Sequence, residues 1–203
     1  MTKGDRWSLY DVQPSFILGF HGCDSKVGEA ILRGDEQHLI RSQNDYDWLG
    51  HGIYFWESNP ARALEFAKER ADGGKNSKGS ISSPFVLGAV IDLGQCLNLL
   101  NSASLQLVRE SYNLLSDMSA LVDDSPLPTN GKDGRARKLD CAVIELLHNV
   151  RANQKHTQFD SVRGVFVEGS PLYPSAGFES QTHIQVCVRN PNSIKGYFRV
   201  FEL

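Results

Sequence analysis

Gly50 to Glu57 reads GHGIYFWE, and its centre, Gly52 to Trp56, is a run of aromatic and β-branched residues with strand composition. Alternation along a strand puts Ile53 and Phe55 on one face and Tyr54 and Trp56 on the other. Ser58 supplies an N-cap candidate and Pro60 a first-turn proline. Ala63, Leu64, Phe66 and Ala67 then fall on a helix that ends before Gly73-Gly74.

Outward from this unit the same reading repeats. Ser15 to Phe20 (SFILGF) is a buried strand expected to turn at His21-Gly22, and Lys26 to Leu32 is a short helix stopped at Gly34. Arg41 to Leu49 (RSQNDYDWL) has no period and is a candidate ligand-contact loop. Lys75 to Ser83 has the composition of a surface loop, and Phe85 to Leu93 (FVLGAVIDL) reads as a central strand. Leu105 to Val122 and Leu139 to Val150 carry apolar residues at helical spacing, with the Pro- and Gly-rich loop Asp123 to Arg137 between them. Val162 to Val167, Ile184 to Val188 and Tyr197 to Phe201 complete the strands. Strands at both ends with helices between them indicate an α+β fold.

The 203 residues are 40% hydrophobic and 22% charged, within the range of a single domain, here 1–203, with a substantial core. A net charge of -3 supplies no basic field for loose capture of nucleic acid. The cysteines, Cys23, Cys96, Cys141 and Cys187, are widely spaced and read as reduced thiols, not as a zinc site, so no metal is expected. Met1 to Gln13 has no apolar signal segment, and no stretch reaches the roughly 20 apolar residues of a membrane span, so the expected location is the cytoplasm.

FHG at Phe20 to Gly22, GHGIYFWE at Gly50 to Glu57 and THIQVCVRNPNSI at Thr182 to Ile194 are each weak signals. In order, they resemble the three signature segments of the diphtheria-toxin-like and poly(ADP-ribose)-polymerase-like ADP-ribosyltransferases, marked by a His, Tyr, Glu triad. The resemblance implies that fold: mixed and antiparallel sheets split around an NAD cleft, with flanking helices. It assigns His21 to the adenosine ribose of NAD, the Gly22 backbone to the nicotinamide amide, and Tyr54 to stacking on the nicotinamide ring. Gly52 joins the cofactor contacts, and Arg41, Ser42 and Asn44 fall near the adenosine side.

The third triad position carries Gln185, reached by counting back from Asn190-Pro191 and Ile194, with Cys187 and Arg189 on the same strand face. A carboxamide both donates and accepts hydrogen bonds but holds no charge against an oxocarbenium-like transition state, a loss of roughly 2.7 to 4 kcal/mol in barrier. Nor can it act as a general base, so another group must activate the acceptor. Glu57, Glu168 and Glu179 are the neighbouring carboxylates that stand as alternatives for completing the site. Polymerase-like members carry a Ser eight residues after the motif Tyr and a second aromatic beyond it; here that frame gives Arg62 and Glu65, with Phe66 one step later.

The implied activity is NAD-dependent transfer of a single ADP-ribose to a macromolecular acceptor, RNA, DNA or protein. A binding module without turnover and a NAD glycohydrolase are the alternatives. Gly169 to Gln181 (GSPLYPSAGFESQ) would meet the acceptor, with Tyr173 and Phe178 available for stacking. Small stand-alone transferases of this kind include toxins of antiphage toxin and antitoxin systems, which implies an antitoxin protein as a further partner. His51 and His183, taken alone, read as structural or supporting, and Lys132, Arg135, Arg137 and Lys138 as a solvated basic loop.

Overall fold

A computed structural model of the chain describes residues 12–73, 81–121, 126–131 and 136–201. Six strands and four helices run in the order β1 (Val12–Asp24), α1 (Ser25–Arg33), β2 (Ile53–Glu57), α2 (Pro60–Asp72), β3 (Pro84–Asn98), α3 (Ser102–Ala120), α4 (Lys138–Asn153), β4 (Ser161–Phe166), β5 (His183–Val188) and β6 (Ile194–Arg199). The fold is mixed α/β around one six-stranded mixed sheet.

Two three-stranded halves make up the sheet. In one, β1 runs antiparallel to β3 from Val12 opposite Gln95 to Asp24 opposite Pro84, and β6 lies along the far edge of β3. In the other, β5 is flanked by antiparallel β2 and β4. The halves meet at two short seams. β3 and β4 run parallel over Cys96–Ser161 to Asn98–Arg163, and β1 pairs with β2 at Gly19–Glu57 and Phe20–Trp56 before the two strands part. The resulting circuit of pairings encloses Ile53, Phe55, Leu87, Ala89, Ile91, Leu93, Val186 and Val188, all buried. The opposite face of β2 and β5 packs on α4 and the 47–50 segment through Leu49, Tyr54, Ile144, Leu147 and Cys187. α2 covers Phe20, Trp56 and Val86.

The expected turn at His21-Gly22 is not there: β1 continues to Asp24 because β3 pairs with it along its whole length, and pairing satisfies the backbone that a turn would have exposed. Asp24 then caps α1, accepting from the Lys26 N–H and from Ser82 and Ser83, and Gly34 closes the helix at φ 80°. At α2 the cap is Asn59, not Ser58: its side chain accepts from the Arg62 N–H, while Ser58, at φ 51°, makes the preceding turn. β3 and β6 begin earlier than expected, and β3 also ends later. Most of the Lys75 to Ser83 loop, Val122, parts of the Asp123 to Arg137 loop including Lys132 and Arg135, and most of the N-terminal segment lie outside the described residues. The four cysteines are buried and form no disulfide among the described residues, and no described helix is long and apolar enough to cross a membrane.

Candidate functional site

Where β1 and β2 part, the two motif strands touch through one side chain. The His21 imidazole places Nδ1 2.7 Å from the Tyr54 carbonyl oxygen. A carbonyl only accepts, so Nδ1 carries the proton and Nε2 keeps its lone pair. Burial lowers the His21 pKa and keeps the ring neutral, the backbone bond opposing only in part. The ring lies on the interior face, 5.9 Å from Phe55, and so opposite the face bearing the Tyr54 phenol. Gly22 lies on the other side of β1, where α2 crosses so closely that a Cβ would run into the Ala63 carbonyl oxygen. The sequence had assigned its lack of a side chain to a ligand; helix packing already requires it.

Tyr54 and Gln185 are diagonal neighbours on one sheet face, since Tyr54 pairs with Cys187 and Trp56 with Gln185. One segment holds both. The Tyr54 hydroxyl accepts from the Leu49 N–H at 3.0 Å and donates to the Gly50 carbonyl at 2.8 Å. Next to it, Trp48 Nε1 donates to Gln185 Oε1 at 2.6 Å. An indole N–H has no acceptor role, so the carboxamide must turn its oxygen toward Trp48, and its NH2 is the group left for other partners. Gln185 thus presents chiefly a donor where a Glu would present an anion. Arg137 fixes this arrangement from above, stacking 5.1 Å from the Trp48 ring and 4.4 Å from the Phe166 ring.

The 41–52 segment is tied to the same face. Ser42 and Gly52 exchange backbone hydrogen bonds at 2.8 and 3.1 Å, Asn44 donates to Ser42 Oγ, and exposed Arg41 reaches the His51 carbonyl at 3.5 Å. A side chain at Gly52 would collide with Cys187 Sγ and the Val188 carbonyl. Below it, Glu145 joins Arg189 at 2.5 Å, the His51 N–H at 2.8 Å and His51 Nδ1 at 3.5 Å. Arg189 is therefore a brace for the loop. Cys141 sits 3.9 Å from His51 Nε2, but burial and nearby carboxylates push its thiol up to about 11, so it remains protonated and inert.

The three substitute carboxylates have separate fates. Glu57 forms a two-point ion pair with Arg163 at 2.6 and 2.8 Å, both side chains mostly buried. Glu168 is held by Arg62 at 2.9 Å. Glu179 lies in the hairpin-like loop closed by its bridge to Pro171. That loop exposes Leu172, Tyr173 and Phe178 at its tip, Phe178 by 65%. Lys138 of the basic cluster pairs with Asp45 at 2.7 Å.

Sequence reasoning missed Trp48 as the clamp on Gln185 and His183 as a ring beside Trp56. Phe66, whose role the sequence left open, packs on Trp56 with ring centres 5.0 Å apart. No local pattern signals contacts between residues so far apart in the chain.

No family model matches the chain, and no solved structure matches it. An uncharacterized protein of Methanocaldococcus jannaschii is 27% identical over 195 residues, covering 87% of this chain and 83% of its own length.

Proposed function

We propose that the chain has the ADP-ribosyltransferase fold, binds NAD where β1 and β2 part, and transfers one ADP-ribose unit to a macromolecular acceptor. The observation that carries this reading is the meeting of three distant motif segments at one seam: His21 bonded to the Tyr54 carbonyl, with Gln185 diagonal to Tyr54. A division of the sheet into two halves with a short seam is also what such a cleft requires. From the interior face of the seam His21 Nε2, with its lone pair, suits a ribose hydroxyl; from the opposite face the Gln185 NH2 suits a ribose oxygen at the nicotinamide side. Without a carboxylate to stabilise positive charge, catalysis rests on orientation and on the cationic leaving group already present in NAD. Single transfer, not chain growth, follows.

Incubating the protein and NAD tagged in its adenylate with cell extract, then digesting separately with nuclease and protease, tests this. Label released by one digestion identifies the acceptor class, with the exposed Tyr173 and Phe178 as candidate contacts. Co-purification of a neutralising protein would extend the reading to a toxin. A second reading, a binder without turnover, is favoured by one observation: the Gln185 oxygen is committed to Trp48. It predicts thermal stabilisation by NAD and no nicotinamide release.

A further inference from the structure

Trp56, Arg62 and His183 each hold a buried side-chain polar atom with no hydrogen-bond partner among the described residues: Trp56 Nε1, Arg62 Nε and His183 Nε2. The residues are 5%, 5% and 6% exposed. Native interiors seldom leave such atoms unpaired, and two of the three belong to adjoining rings, which indicates a polar guest. The His183 ring lies 6.0 Å from Trp56 and stacks on Phe166 at 5.5 Å. Arg62 shares its helix face with Phe66, which packs on Trp56, and its charge is felt at His183.

Their chemistry is complementary to one hydroxyl. Trp56 Nε1 and Arg62 Nε are donors. His183 Nδ1 is 2.6 Å from the Gln181 carbonyl, so it carries the ring proton and Nε2 is an acceptor. A hydroxyl oxygen can accept from both donors while its proton points at Nε2. The cluster borders the candidate site: Trp56 is opposite Gln185 across the β2–β5 pair, and His183 is two residues before it on the same face.

We propose that His183 is the general base of this site, taking the proton of an acceptor hydroxyl held by Trp56 and Arg62. The inference rests on the ADP-ribosyl transfer reading and supplies the base that Gln185 cannot be. In the step, the bond between ribose C1′ and the nicotinamide nitrogen breaks and nicotinamide leaves with the electron pair. The acceptor oxygen bonds to C1′, and its proton passes to His183 Nε2. Burial foremost, then the Arg62 charge, lowers the His183 pKa against the opposing Gln181 bond and Glu168 carboxylate, so the base is neutral and ready near pH 7. The hydroxyl belongs to water or to a macromolecule; free ADP-ribose identifies the first and labelled polymer the second.

Nicotinamide release by wild type, His183→Gln and Trp56→Phe, measured from pH 4.5 to 8, is the test. His183→Gln is expected to lower kcat at least tenfold with KM for NAD and the melting temperature little changed, and to remove the acid limb that wild type shows below pH 6.5. Trp56→Phe, which deletes one donor, is expected to lower kcat several-fold while keeping that limb. A folded His183→Gln protein with wild-type kcat and acid limb overturns the role of His183. No nicotinamide release from wild type overturns the transfer reading itself. Independently of turnover, the Trp56 indole proton is expected to show a magnetisation transfer peak to bound water, and its absence from the folded protein overturns the oxygen site.

Discussion

Tyr54→Phe removes a single oxygen, and its consequence can be worked from the bonds that oxygen makes. The hydroxyl accepts from Leu49 N–H and donates to the Gly50 carbonyl, and Leu49 is fully buried. An orphaned buried N–H costs about 1–3 kcal/mol, and the lost donor bond adds about 0.5–1.5 kcal/mol. Gly50 keeps its contact from Cys187 Sγ at 3.4 Å, which softens the second loss. The total of about 2–3 kcal/mol corresponds to a fall of about 4–12 °C in melting temperature for a chain of this size. Calorimetry reads the fall, and amide exchange at Leu49 reads its location, since that N–H should lose protection more than the β3 core. A melting temperature within 1 °C of wild type would refute the view that the phenol pins the 47–50 segment. The ring stays in Tyr54→Phe, so any stacking on a ligand is retained, whereas Tyr54→Ala should remove NAD binding and turnover together.

Gln185→Ala should cut nicotinamide release more than NAD binding, as separate kcat and Kd measurements would show. Gln185→Glu, able to accept from Trp48 with one oxygen and to present the other, should raise NAD hydrolysis. Glu57→Gln leaves the Arg163 guanidinium mostly buried without its charge partner and should cost about 2–3 kcal/mol in urea unfolding, while the folded fraction keeps wild-type turnover. His21, His148 and His183 all have lowered pKa values, His148 to about 3, chiefly by burial. The unfolded chain therefore binds more protons below pH 6.5, and the stability these neutral rings support is lost as pH falls from there through their lowered folded values. His148 has both ring nitrogens unpartnered among the described residues and lies 6.0 Å from Phe159. His148→Leu should gain about 2 kcal/mol relative to wild type between pH 7 and pH 5, measured by urea unfolding at each pH.

Legibility from sequence followed the range of the interactions involved. The faces of Gly52 to Trp56 were readable because alternation is local: Ile53 and Phe55 enter the interior cluster, and Tyr54 and Trp56 the other face. Gly34 as a helix stop was readable for the same reason. The turn expected at His21-Gly22 failed because a partner strand more than sixty residues away decides whether β1 continues. Ser58 and Asn59 are equally good caps by composition, and only the φ of the turn separates them. The donor polarity of Gln185 depends on Trp48, and the unpartnered atoms around Trp56 depend on α2 packing on β2 and on β5 pairing with it. Such facts are set by tertiary contact and leave no pattern in the chain.

Titration of 15N-labelled protein with NAD, followed by amide shifts, tests the central claim most directly. The account predicts saturable shifts concentrated at His21 to Asp24, at Gly52 to Phe55 and around Gln185. Absence of any shift at millimolar NAD, or shifts confined to residues away from the β1–β2 seam, would contradict it.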